Sequence, residues 1–296
     1  MKHKDTLKHI TALLLFGSNG IVASRITLSS YEIVFTRTLI GGLFLALLFT
    51  ASRQKVRFWS NQSHALYLLL SGVSMGASWM FLFEAFQQIG VSIAILAYYC
   101  GPVIVMLFSK ILFNEKLTAA KVTGFFAVLL GMFLVNRQAF LQGQLSWGLG
   151  YGILAAVTYA FMVIFNKKAT SITGLENPPW QLLTSFVTVA IFLVLRQGLS
   201  IRIEPQNLAP VLLLGIVNTG MGCYLYFSSI GNLPVQTVAI LGYLEPLSAL
   251  FFSAALLGES LGFLQLVGAG LILGGAAFGE LFHPKPSPIL KKVSNR

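Results

Sequence analysis

The chain alternates long apolar blocks with short polar connections, most of them basic. A helix needs about 20 mostly apolar residues to cross the hydrocarbon core of a bilayer. Ten segments meet that template: residues 7–26, 32–51, 65–87, 91–111, 119–136, 145–166, 179–196, 208–228, 234–256 and 262–282. Glycine is frequent within them, as where helix backbones approach closely in lipid. The pattern therefore predicts an all-α integral membrane protein with ten transmembrane helices.

Composition agrees. The chain is 56% hydrophobic and 10% charged, against about 25% charged residues in soluble proteins. Its net charge of +11 raises the question of nucleic acid, but the basic residues stand in small clusters between apolar blocks, with no continuous basic stripe. Such clusters follow the positive-inside rule. With the N-terminus inside, fifteen Lys and Arg residues fall on the inner side and five on the outer: Arg25, Arg37, Arg137, Arg196 and Arg202. That bias predicts an even span count, both termini cytoplasmic and a basic cytoplasmic tail over 283–296; the expected location is the plasma membrane. The start, "MKHKDTLKHITALLLFG", imitates a signal peptide, but no small-x-small cleavage site follows, and it reads as an uncleaved first span. Cys100 and Cys223 both lie in apolar segments and suggest neither a disulfide framework nor a metal cluster.

An internal repeat changes the picture most. Residues 96–131 align with 240–275 at a constant shift, with ten identities in 36 positions. Tyr99 meets Tyr243, Pro102 meets Pro246, Glu115 meets Glu259, Gly124 meets Gly268 and Gly131 meets Gly275. Five spans per copy is an odd number, so the second copy enters the membrane upside down. Inverted repeats are a hallmark of secondary transporters, which hold their solute near the midplane where the repeats meet.

The paired stretches "YYCGPVIVMLFSKILFNEKLTAAKVTGFFAVLLG" and "GYLEPLSALFFSAALLGESLGFLQLVGAGLILGG" resemble the last two spans of the EamA repeat, which defines much of the drug/metabolite transporter superfamily. The resemblance covers a first repeat over 7–136 and a second over 145–280. It implies two inverted five-helix repeats around a central cavity, and an exporter of amino acids or other metabolites. Drugs, purines and nucleotide-linked sugars are the alternative solutes of the same fold. Two departures stand out: Asn114 replaces the Gly that precedes the Glu in the second copy, and "FGSN" occupies the first span where many relatives carry a Trp before the Gly.

Glu245 is the single charged residue between Pro205 and Gly258, and it directly precedes Pro246. A charged group at the bilayer centre costs at least about 2.5–3.5 kcal/mol on insertion scales unless it faces water, a partner or a proton. Pro246 removes the bond to the Gly242 carbonyl and is expected to free that oxygen at the same depth. Glu245 is read as a carboxylate that takes up and releases a proton as a cavity alternates; the structural alternative is a pair with a neighbour. Pro102 is expected to break the fourth span in the same way. Glu84 stands near the outer end of the third span and Arg37 in the second, so Arg37 has two candidate partners, Glu84 and Glu245. Asn19 and Asn218 either join helices or bind a solute's polar end. Tyr98, Tyr99, Tyr243 and Trp79 offer planar faces to an aromatic or cationic solute, or pack helices. Glu115 and Glu259 are read as structural, at helix starts.

Enzymatic readings find little support. No HExxH, nucleophile elbow or phosphate loop is present. His3, His9, His64 and His283 lie in tails or at a span edge and are read as offering no intramembrane base or metal site. A channel would need a filter sequence or a ring of subunits. The expected partners are a small-molecule solute, the bilayer and protons, with no cofactor, no metal and no nucleic acid; the chain is compatible with a monomer or a homodimer.

Overall fold

A computed structural model describes residues 2–89, 94, 97–115, 118–135, 137, 147–198, 201–257 and 262–281. The tail over 283–296, Glu259 and most of residues 90–96 lie outside them. Among the described residues there is no strand. The helices are α1 (Lys2–Gly17), α2 (Asn19–Ala23), α3 (Ser30–Ala51), α4 (Gln62–Ile89), α5 (Gly101–Phe113), α6 (Ala119–Val135), α7 (Trp147–Lys168) and α8 (Asn177–Gln197). They continue as α9 (Leu208–Leu212), a π-helix (Leu213–Met221), α10 (Gly222–Ile230), α11 (Val235–Leu241), α12 (Leu244–Leu257) and α13 (Phe263–Leu281). Among the described residues, five stretches are long and apolar enough to cross a membrane: 30–51, 62–89, 147–168, 177–196 and 205–230.

Local signals explain several boundaries. Ser29 and Glu32 form a capping box: Ser29 N–H donates to Glu32 Oε2 (2.8 Å) and Glu32 N–H to Ser29 Oγ (3.3 Å), starting α3. Asn114 ends α5 at φ +52°, in the left-handed region that Gly and Asn enter at least cost. The departure from Gly at this position therefore preserves the turn.

Three apolar runs are interrupted where hydropathy shows no gap. Ser18 separates α1 from α2, Gly242 and Tyr243 separate α11 from α12, and a turn at Tyr99–Cys100 precedes α5. Pro102 and Pro246 each stand in the first turn of the helix that follows, where a missing N–H leaves no intrahelical bond unmade. The Gly242 carbonyl is not free as expected: it accepts from Glu245 N–H at 3.3 Å, because the chain tightens into a turn there.

The helices pack in a repeating scheme. α4 lies against α7 and α8, while the rod of the π-helix and α10 lies against α1 and α3; α5 packs on α7 and α12 on α1; α3 packs on α8. α6 and α13 cross through glycines, since a Cβ at Gly131 would lie 2.5 Å from the Gly268 oxygen and one at Gly275 would lie 2.5 Å from the Gly124 oxygen. Contacts of Gly124 with Gly275 and Gly131 with Gly268 mean that these two helices run antiparallel. Among the described residues, the largest buried apolar cluster, with Leu13, Met162, Tyr226, Ile230, Leu233 and Val238, joins α1, α7, α10 and α11.

Candidate functional site

A cavity of about 60 Å³ lies between the helices where α2, α5 and α12 begin. At ~10–15 Å³ per water it has room for about five water molecules. Glu245 and Arg37 line it from α12 and α3, Trp79 and Ser78 from α4, Asn19 from the start of α2 and Tyr98 from the residues before α5. The chain breaks put these groups there. The turn at Gly242–Tyr243 lets α12 begin at cavity depth, so Glu245 falls in a first turn rather than mid-helix, where the unpaired amides favour an anion.

The Arg37 guanidinium lies over the Trp79 ring, 4.3 Å from its centroid. Arg37 Nε and Asn19 Oδ1 are both buried without a hydrogen-bond partner. Opposite charges thus share one small enclosure with an aromatic wall and unspent hydrogen-bonding capacity. Buried polar groups are as a rule paired, so such orphans mark a place where something else binds or moves.

The remaining candidates separate from this group. Tyr99 and Tyr243 are buried beside the cavity, where the Tyr243 hydroxyl donates to the Tyr99 carbonyl (2.9 Å) and their rings lie 5.8 Å apart. Asn218 sits in the π-helix and donates from Nδ2 to the Leu15 carbonyl (3.0 Å) and to Ser18 Oγ (2.7 Å). It joins two irregularities, since the Leu15 carbonyl also accepts from Ser18 N–H (3.1 Å) and Ser18 Oγ (2.7 Å) at the break. Glu84 faces α8 instead of Arg37, and Arg196 holds it through Nε–Oε1 (2.8 Å) and Nη2–Oε2 (3.2 Å). This is the one ion pair among the described residues, so neither expected partnership of Arg37 forms as a direct contact. The cause is register: the turn of α4 that carries Trp79 meets α3, and the next carries Glu84 toward α8.

Tyr159 and Tyr226 line the cavity from α7 and α10, together with Phe16, Met75 and Cys223, and no sequence signal separates them from other aromatic and apolar residues. Glu115 does not begin its own helix as expected. Its carboxylate accepts from Val235 N–H (2.7 Å) and Gln236 N–H (3.1 Å), capping α11. His9 is also corrected. It is fully buried, Nδ1 to Ser229 Oγ at 3.2 Å, with its ring on Tyr226 at 4.7 Å between centroids. Its side chain points into the bundle, although its position at the edge of the first span suggests otherwise.

Known proteins place this geometry. The sequence matches the EamA-like transporter family at residues 7–137 and again at 146–279. It is 30% identical to "Uncharacterized transporter YxxF" of Bacillus subtilis (strain 168), covering 93% of this chain and 90% of that one. It is 27% identical to a "Probable amino-acid metabolite efflux pump" of Salmonella typhimurium, covering 93% and 94%. A solved crystal structure shares the fold with a TM-score of 0.78 at 19% identity, over 95% of this chain and 98% of that one. Relatives named as transporters and an efflux pump set the membrane-enzyme reading aside. An all-helical apolar bundle around a charged cavity, matched twice along its length, belongs to the EamA-like transporter family.

Proposed function

We propose that the protein is a multi-pass secondary transporter of the plasma membrane that exports amino acids or related small metabolites by alternating access, exchanging them for protons at Glu245. The observation that carries this reading is the cavity in which Glu245 and Arg37 face a common space beside Trp79. A small solute with both a cationic and an anionic group finds a counter-charge for each there, and the name of the Salmonella relative points the same way.

Ten spans in two inverted repeats, 7–136 and 145–280, supply the alternation. Gly124 and Gly268 are equivalent in the internal alignment, as are Gly131 and Gly275, and the contacts are crossed, Gly124 on Gly275 and Gly131 on Gly268. Crossed contacts between equivalent residues are what a two-fold relation produces. Tyr99 and Tyr243, also equivalent, touch each other. The two halves can rock about that contact, opening the cavity to either face in turn. Both termini lie in the cytoplasm in this arrangement, and Glu84, held by Arg196, Asn218, spent on the Ser18 break, and the Tyr99–Tyr243 pair serve the framework rather than the solute.

Counterflow into proteoliposomes tests the reading. Vesicles preloaded with one member of an amino-acid and metabolite panel are expected to take up the labelled form of that solute. Uptake confined to drugs, purines or nucleotide-linked sugars would retain the transporter and replace its substrate class. Absence of counterflow for every solute would overturn the reading.

A further inference from the structure

The cavity carries more open hydrogen-bonding capacity than its two charges explain. Among the described residues, three of its lining side chains have a polar atom buried without a partner: Arg37 Nε, Asn19 Oδ1 and the Tyr226 hydroxyl. Arg37 can only donate, Asn19 Oδ1 can only accept, and a tyrosine hydroxyl can do either. Tyr226 is 4% exposed, and its ring packs on His9 (4.7 Å between centroids) and on Phe16 (6.0 Å). The hydroxyl is therefore set in place by packing of the ring, yet bonded to nothing. A buried hydroxyl in that state is costly unless a bound molecule satisfies it.

The enclosure is also small. Its volume of about 60 Å³ takes about five water molecules. A non-hydrogen atom of a solute, with its hydrogens, needs roughly the room of one water, so an amino acid the size of alanine or serine comes close to filling it. Leucine and phenylalanine need about twice that room. In so narrow a space a solute that meets Arg37 and Glu245 also lies within reach of Tyr226. Arg37 and Glu245 are the charged groups among the described lining residues, and the other walls include Phe16, Met75 and Phe227. A third charge on the solute would find no counter-charge there.

We propose that Tyr226 is the specificity-determining residue of this site, and that it selects a small α-amino acid whose uncharged side chain ends in a hydroxyl, of the serine type. The solute carboxylate accepts from Arg37, the ammonium donates to Glu245 and Asn19 Oδ1, and the side-chain hydroxyl bonds that of Tyr226. All three open atoms then have a partner, and no covalent bond is made or broken. Alanine fits but leaves Tyr226 unsatisfied. Lysine and glutamate bring the third charge, and leucine and phenylalanine exceed the room. The inference rests on the amino-acid reading proposed above, and goes beyond it in naming the kind of amino acid and the residue that chooses it.

Counterflow in proteoliposomes carrying the full chain tests it, with L-serine, L-alanine, L-leucine, L-phenylalanine, L-lysine and L-glutamate each run as its own labelled pair. Serine is expected to half-saturate at a concentration about 3- to 10-fold below alanine, the worth of one hydrogen bond. The four others are expected to need about tenfold more than alanine, or to show no exchange. Tyr226→Phe removes an atom that has no protein partner and keeps the ring packing. It is expected to raise the half-saturation of serine to that of alanine, while alanine stays within about twofold of wild type. An equal loss for both solutes marks a packing role and overturns the inference, as does a serine preference that survives the substitution. The wild-type ranking tests the class independently of the variant: leucine, phenylalanine, lysine or glutamate exchanging as well as serine overturns the inference and leaves amino-acid export standing. No counterflow for any amino acid overturns both readings.

Discussion

The two helix breaks share a backbone plan and differ in chemistry. Tyr99–Cys100 and Gly242–Tyr243 both interrupt an apolar run, both are followed by a proline in the first turn of the next helix, and their tyrosines meet. At the position aligned with Glu245 the first break has Gly101. The reason lies in the neighbour: a Cβ on Gly101 would stand 2.7 Å from Tyr159 Cδ1 and 3.0 Å from the Ala156 carbonyl. The first break is closed onto α7 so that Tyr159 reaches the cavity wall, whereas the second opens onto the cavity and has room for a carboxylate. A duplicated element has kept its geometry in both places, while one copy holds the packing and the other the charge.

Making the two breaks alike is the strongest way to test that difference. Gly101→Glu adds a second carboxylate where no space exists. Overpacking costs ~1–3 kcal/mol and an uncompensated buried charge several more. The variant is expected to give no monodisperse peak in detergent by size exclusion, while Glu245→Gly, the opposite equalisation, purifies normally. A Gly101→Glu protein that elutes and melts like wild type would show that the first break has room to spare, and the comparison would lose its physical basis.

Next in size is the loss of function without loss of fold. Glu245→Gln keeps the shape of the side chain and removes the charge, whose burial costs at least about 2.5–3.5 kcal/mol on insertion scales. Its unfolding midpoint is expected to match or exceed that of wild type, and solute accumulation driven by a pH gradient to fall to the level seen without a gradient. Accumulation that still follows the gradient would make Glu245 a structural residue and the two breaks functionally equivalent.

Arg37 sharpens the same contrast from the opposite wall. Lysine keeps the charge but loses the planar group that lies on Trp79. The contact is worth ~0.5–2 kcal/mol, so Arg37→Lys is expected to raise the half-saturating solute concentration about 2- to 30-fold with the maximal rate little changed. An unchanged half-saturation would remove Arg37 from the solute site.

The sequence made the framework legible and left the pairings hidden. Hydropathy located the apolar segments, and the aligned tyrosines and prolines marked both breaks, because these depend on local composition and on proline's missing N–H. The break at Ser18 escaped notice because a window of about 20 residues averages over a single turn, and the residues around it stay apolar. The burial of His9 is not legible because it stands near the start of the first apolar segment, where hydropathy places an edge and says nothing of which helix face turns inward. Glu84 is only one of two candidate partners of Arg37 in the sequence, because its actual partner, Arg196, stands 112 positions away on a helix whose rotation no periodicity fixes. Glu245 stood out unaided, since an isolated charge in a long apolar run is a local signal.

The smallest expected effect lies at the contact between the two breaks. Tyr243 is wholly buried and its hydroxyl donates to the Tyr99 carbonyl in the turn before α5. Tyr243→Phe removes this bond and leaves the ring packing on Phe125 and Tyr99 in place. A neutral hydrogen bond contributes about 0.5–1.5 kcal/mol, and an abandoned buried carbonyl adds to the loss. A drop of a few degrees in the thermal midpoint is expected, with counterflow and its half-saturation unchanged. The readout that matters is the split between the two. If the midpoint holds and transport changes, the tyrosine pair belongs to the moving or solute-binding parts. If stability alone falls, the pair is the fixed point at which the packed break and the charged break are joined.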